Sequence, residues 1–282
     1  MSRPEDQKAE LSQLDLCLCV DLTGSMTPFI EEARRRLSEI LSAVAEKEGL
    51  ELRVAIVGYR DYGTGVPLTQ HTPFESALKR IQRELSSLEV KSPRENTDAA
   101  EAVIAGLLAA VDELSWRARA TKIIVLVGDA PPHGCETMFG PFPDRYAEDP
   151  TGLSLLEAGA RIEGAGITLY ALGMIPSVTP AYDKAVEQSF GKLARTTGGI
   201  YRNARDAASA VSIVEEISAK VSRQVGLERL LWSALSQRRR EDDAISLRAM
   251  VAAEIDALAA SLESDAESIY AAVARLEKRG FS

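Results

Sequence analysis

Asp21, Thr23 and Ser25 stand at alternate positions in the stretch CVDLTGSMTPF, directly after the apolar run LDLCLCV. One carboxylate and two hydroxyls this close together are oxygen donors of the kind a hard divalent cation takes. Two further acids follow apolar runs in the same way, Asp61 in GYRDYG and Asp129 in LVGDAPPHG. Thr97 and Asp98 come in ENTDAAEAV, ahead of an apolar helical pattern. Each of these residues has an ordinary local use, because Ser, Thr and Asp cap helices and Asp fills turns at strand ends. Taken together they supply hydroxyl and carboxylate oxygens from separate loops, the ligand set of an Mg²⁺ site that keeps some of its waters.

The elements that must bring these loops together alternate along the chain. Strands are expected over residues 14–20, 51–60, 121–128 and 166–173, with short ones at 66–72 and in GIYRNA. Helical spacing of apolar residues runs over 26–48, closed by Gly49, and over 74–88, 97–114, 152–164, 183–199 and 205–224. This alternation implies an α/β protein with a Rossmann-like, doubly wound, mostly parallel sheet and helices on both faces. Sites in such sheets form at the carboxyl ends of the strands, where strand order switches. Asp21, Asp61 and Asp129 all follow strands directly and are expected on one rim. Cys17 and Cys19, two apart on the first strand, face one side as small apolar filler. After residue 225 no strand signal remains, and RRREDD divides two helical stretches. The expected organisation is a polar segment over 1–12, an α/β domain over 13–224 and a helical extension over 225–282.

The motifs resemble those of von Willebrand factor A domains that carry a metal-ion-dependent adhesion site. That family's pattern is D-x-[ST]-x-S, then a distant Thr, then a distant Asp after a strand; Asp21, Thr23, Ser25, Thr97 and Asp129 match it. The wording is similar to an intracellular subgroup with D-x-TGSM, GYRD and DAPPHG phrases, which includes domains attached to atypical alpha-kinases. The resemblance covers roughly residues 12–222. Where that subgroup often has Gly-Gly-Asp before its second helix, this chain has ENTD, so Asp98 stands beside Thr97 as an alternative or assisting ligand. The resemblance implies that Mg²⁺, with Mn²⁺ and Ca²⁺ as alternatives, is held largely by neutral oxygens. A cation held in this way stays electrophilic and takes an Asp or Glu carboxylate from a protein partner. Relatives of this kind serve as adaptors in multi-component assemblies, sometimes with ATPases.

Residues 130–152 form a long, proline-rich stretch without helical period, as functional loops often are. Phe139, Phe142 and Tyr146 either present an apolar rim beside the cation or pin the loop to the core. His133 is expected to order this loop; a zinc site with Cys135 lacks a second ligand pair. Arg60 and Asp61 are expected to form an ion pair near the rim.

Two other functions have weaker support. A phosphatase-like hydrolase would need an acid/base where Thr23 stands, and a threonine hydroxyl does not titrate near neutral pH. No catalytic role is therefore expected. The tail AAEIDALAASLESDAESIYAAVARLEKRGFS (252–282) resembles a helix-turn-helix whose Ser268, Tyr270 and Arg275 would approach DNA. With eight basic and ten acidic residues after position 224, it makes a poor phosphate-binding footprint, and the same apolar helices suit packing or oligomerisation. The net charge of −9 also argues against nonspecific nucleic-acid binding, and a 45% hydrophobic content supports a sizeable core. The longest apolar runs are too short to span a membrane, and the polar start MSRPEDQKAELSQ lacks a signal-peptide pattern. A cytoplasmic, bacterial-type setting is the expectation.

Overall fold

The computed structural model describes residues 10–31, 33, 50–94, 98–135, 141–177, 179–238 and 246–281. Six strands form one sheet: β1 (Gln13–Asp21), β2 (Glu51–Tyr59), β3 (Thr69–His71), β4 (Thr121–Gly128), β5 (Ile167–Met174) and β6 (Tyr201–Ala204). Their order is β3-β2-β1-β4-β5-β6, all parallel except the antiparallel edge strand β3. Strand order reverses between β1 and β4, so the loops after these neighbours diverge and leave a crevice between them.

Side-chain alternation divides the core between the two faces of the sheet. Leu14, Leu18 and Val20 of β1 join Ile56, Val125 and Leu172 on one face. Cys17 and Cys19 join Val57, Ile124 and Leu169 on the other, where both thiols are buried as apolar filler. The second face is covered by α2 (Val103–Asp112), α3 (Leu155–Gly164) and α4 (Asp183–Thr196). The first carries α5 (Ala207–Arg238), through Ile217, Val221 and Val225, and α1 (Leu78–Ser87), through Ile81 and Leu85. Of the helix expected at 26–48, residues 27–31 and 33 are helical; the remainder and Gly49 lie outside the described residues.

Two expectations are corrected. Asp98 does not open a helix, because the helix expected from 97 begins at Val103 with Ala102 as its cap residue. The Glu101 N–H donates to the Pro131 carbonyl at 3.0 Å, and Glu101 makes a parallel bridge to Pro132. This pairing uses backbone groups that a helix would have claimed, and it draws the 98–102 segment against the loop after β4. The boundary expected near 224 falls inside α5, which runs unbroken to Arg238. Its later part packs Leu231, Trp232 and Leu235 against Leu247, Val251 and Leu258 of α6 (Leu247–Ser261) and Ile269, Val273 and Leu276 of α7 (Ala266–Lys278). Most of RRREDD lies outside the described residues. Among the described residues no helix is long and apolar enough to cross a membrane.

Tyr59, the last residue of β2, is fully buried beneath the rim. A Cβ on Gly106 of α2 would lie 2.7 Å from the Tyr59 Cβ. Gly106→Ala is therefore expected to push α2 off the sheet at a cost of about 1–3 kcal/mol, measured as a lowered denaturation midpoint. An unchanged midpoint would show that the helix has room to shift.

Candidate functional site

The crevice between β1 and β4 is framed by backbone bonds between loops. Leu22 N–H donates to the Tyr59 carbonyl at 2.8 Å, Lys91 N–H to the Leu22 carbonyl at 2.8 Å, and Gly24 N–H to Ser92 Oγ at 3.2 Å. Within this frame Asp21 is fully buried, and Thr23 turns back on it. The Thr23 N–H and Oγ1–H both donate to Asp21 Oδ1, at 2.7 and 2.6 Å. Ser25 Oγ donates to Asp129 Oδ1 at 3.0 Å and lies 3.4 Å from Thr23 Oγ1. Four of the five motif residues thus share one polar chain across the strand ends. Thr97 lies outside the described residues.

Electrostatics single out this cluster. Burial, reinforced by the charge on Asp129, raises the Asp21 carboxyl to about 7 against the lowering effect of the Thr23 bonds. Burial also raises Asp129, and Asp183 adds to it, while the Ser25 bond works the other way. Asp21 Oδ2 is buried and has no partner among the described residues. A buried carboxylate oxygen without a donor is costly, and here it belongs to a pair of acids that raise each other's energy. A hard divalent cation answers both deficits, and the hydroxyl and carboxylate oxygens suit it. Over the cluster lies an open cavity of about 300 Å³, lined by Thr23, Ser25 and Asp129 together with Asp98, Glu101 and Tyr182.

Asp98 lines this cavity, but its oxygens are engaged. Oδ1 accepts from the Ala100 N–H at 3.2 Å; Oδ2 accepts from the Arg145 N–H at 3.1 Å and pairs with Arg145 Nε at 3.2 Å. Asp98 belongs to a second network. His133, 2% exposed, meets Asp61 Oδ1 at 2.7 Å through Nε2 and Asp144 Oδ1 at 2.8 Å through Nδ1. Arg145 donates to Asp61 Oδ2 at 2.6 Å. Burial pulls the His133 imidazole down, but the bonds to Asp144 and Asp61 outweigh it and raise the ring to about 9. Ligand atoms of Asp61, Asp98 and His133 lie within 4.8 Å of one another, close enough to hold a metal. The Arg145 guanidinium and the doubly donating imidazolium already neutralise these acids, so the group reads as a loop clamp. Tyr146 packs its ring against His133 and Tyr62, pinning the loop. His133 thus ties Asp144, in the loop after β4, to Asp61, after β2. Burial pushes the Cys135 thiol up to about 12.

The expected Arg60–Asp61 pair does not form. Arg60 is buried and donates to the Pro67 and Glu89 carbonyls at 3.2 and 2.6 Å, away from the rim. Phe139 lies outside the described residues. Phe142 is 51% exposed, and its N–H donates to Tyr182 Oη at 3.0 Å, which displays an apolar side chain beside the cavity. Sequence reasoning missed Glu101, Ser92, Asp144 and Arg145. The first has a faint signal, four residues after Thr97; the others sit in irregular stretches with no period to read.

Fold and site together define an A-type domain with an adhesion-site motif. The family model for the von Willebrand factor type A domain matches residues 15–216, and the chain belongs to this family. A curated relative is "Alpha-protein kinase vwkA" of Dictyostelium discoideum, 26% identical over 159 residues, which are 56% of this chain and 24% of that protein. The matched part is thus about a quarter of the relative's length. Among solved structures, the pilus adhesin SpaC from Lactobacillus rhamnosus GG superposes with a TM-score of 0.54 at 16% identity, over 76% of this chain and 30% of its own. Proximal thread matrix protein 1 from the mussel byssus, with a zinc-occupied MIDAS motif, gives 0.54 at 12% identity, over 74% and 46%. At these identities the two structures establish the fold.

Two pH effects follow from the two clusters. Between about pH 4 and about 7 the folded, cation-free chain keeps a proton on Asp21 that the unfolded chain has lost, so this group's contribution to stability falls as pH rises. Mg²⁺ is expected to raise the melting temperature more at the upper end of this window than at the lower, as thermal unfolding in chelator and in Mg²⁺ would register. For His133 the stabilisation is whole below about 6.5 and is lost as pH rises through about 9. Its imidazole NMR signals, isolated in a His71→Gln background, should still report the charged ring at neutral pH.

Proposed function

We propose that this chain is a metal-dependent protein-recognition module. Asp21, Ser25 and Asp129 would hold Mg²⁺, with Mn²⁺ or Ca²⁺ as alternatives; Thr23 would hold Asp21 in place, and Thr97 would add a hydroxyl from the loop beside Asp98. The bound cation supplies a positive charge with room for one more oxygen ligand, and a partner's Asp or Glu carboxylate is that ligand. Specificity then comes from the surrounding loops, Phe142 included. The observation that carries this reading is the buried, unpartnered Asp21 Oδ2 beside a second raised carboxylate, in a cluster that opens to a cavity. The metal-occupied motif of the mussel protein is in keeping with it.

A hydrolase is the weaker reading. Both donors of Thr23 are spent on Asp21 Oδ1, so the position offers no acid or base. DNA binding through α7 is weaker still. Arg275 is tied to Glu228 at 2.5 Å, and Ser268 donates to Asp265 at 2.7 Å as part of the helix cap.

Titration calorimetry on chelator-treated protein should find a saturable Mg²⁺ site that Asp21→Asn and Asp129→Ala each weaken by at least about tenfold. A pull-down in Mg²⁺ should retain a partner that is lost in chelator and in both variants. Partners held equally under every condition would remove the cation from the mechanism, and Asp21-dependent turnover of a phosphate ester would replace the binding role with a catalytic one.

A further inference from the structure

Between α5 and the turn from α6 into α7 lies an open groove of about 630 Å³. One wall is a face of α5, where Lys220, Arg223, Leu227 and Leu230 recur at helical spacing with Gly226 among them. The other wall carries Leu262, the last residue of the α6 cap, and Ser268 and Ala271 of α7. Leu227 and Leu262 rest on the small core of the helical extension. Leu230 does not join them: it is 57% exposed, although the next two residues, Leu231 and Trp232, are buried.

Gly226 is the informative residue. Glycine inside a helix loses the most chain entropy and packs no side chain. Gly106 of α2 has a reason to be glycine, since Tyr59 leaves no room for a Cβ. At Gly226 no atom of the protein lies within 4 Å of the position a Cβ would take. Other glycines with that much space, Gly152, Gly164, Gly166, Gly198 and Gly280, stand at turns or helix ends, where glycine has a local use. Gly226 stands in the middle of α5 and bares the helix backbone to the groove.

The charge around the groove selects what can enter it. Lys220 and Arg223 form no ion pair among the described residues, and Arg275 spends its Nε on Glu228. Glu263 is the acid that lines the groove against these three cations. This basic wall belongs to a chain whose net charge is −9. A second copy docked face to face would set the same cations against each other, and an anionic membrane would repel the rest of the molecule. An acidic protein segment meets neither objection.

We propose that this groove docks an amphipathic α-helix from an acidic protein partner. Apolar side chains of that helix lie among Leu227, Leu230 and Leu262, a small residue crosses Gly226, and flanking Asp or Glu side chains meet Lys220 and Arg223. A helix fits because the groove runs between helical elements, whose side-chain rows receive those of a third helix. The groove shares no lining residue with the rim cavity, so docking here needs no cation.

The test uses two fluorescent helix-forming peptides of about 20 residues. Both carry the same stripe of leucine and alanine; one has Glu at the remaining positions and the other Lys. Each is titrated into the full chain in chelator, so that the rim cluster takes no part, and binding is read as anisotropy. The acidic peptide is expected to bind saturably, at least about tenfold more tightly than the basic one, and more weakly as salt rises. Leu230→Ser, and Lys220→Glu with Arg223→Glu, should each weaken it about tenfold or more. Both alter side chains outside the buried core, and circular dichroism on each separates lost binding from lost fold. Gly226→Ala should raise the melting temperature of the free chain by about 2 °C yet weaken the peptide, a pairing of signs that a purely structural glycine would not give. The proposal is overturned if neither peptide binds, if both bind equally, or if the folded variants bind like wild type. A dimer that Leu230→Ser dissolves would make a second copy the occupant, and Leu230-dependent sedimentation with phosphatidylserine vesicles would make it a membrane; either outcome also overturns it.

Discussion

Two carboxylates that repel each other, Asp21 and Asp129, are buried in one crevice with a serine hydroxyl on the second of them. Much of the rim's construction serves to hold that arrangement. β1 is central in the sheet and β4 is its neighbour across the switch in strand order, so the two acids are brought to adjacent strand ends by parallel pairing. Left alone, such a pair takes up a proton or moves apart. It does not move apart because Thr23 fixes one oxygen of Asp21, Ser25 holds Asp129, and Tyr59 fills the space below. The remaining way to lower the energy is to admit positive charge.

Beside it the chain has built the opposite arrangement. Asp61, Asp98 and Asp144 are carboxylates like the pair at the rim, yet His133 and Arg145 answer them with donors on nearly every side. That network is close to self-sufficient. Its effect is mechanical, since it binds the loop after β4 to the loop after β2 and to the segment around Asp98. The contrast between a satisfied cluster and an unsatisfied one, a few residues apart, separates loop architecture from recognition more clearly than residue type does.

The helical extension obeys a similar logic at the far end. Glu228 is buried between Arg275 and Arg279, and Arg279 Nε also reaches the Arg119 carbonyl at 2.7 Å. Burying a carboxylate is tolerable only when it is paired in this way. The pairing fixes α7 against the base of the sheet while Leu231, Trp232 and Leu276 form a small core of their own. Helix-turn-helix spacing in the tail therefore produces a docked helix whose best-placed arginine is already in use.

The amino-acid sequence by itself determined the alternation of strands and helices, the split of Cys17 and Leu18 to opposite faces, and the placement of Asp21, Asp61 and Asp129 at strand ends. These follow from local periodicity and from the short range of strand and helix signals. The motif spacing was equally legible, which is why the family could be read before any coordinates. Only the tertiary structure decided that Arg60 turns away from Asp61, that Asp98 is bound by Arg145, that α2 starts at Val103, and that α5 runs through the expected boundary. Each of these depends on which partner lies nearest in space across many residues of chain, and such competition between hydrogen-bond partners leaves no periodic trace in the order of amino acids.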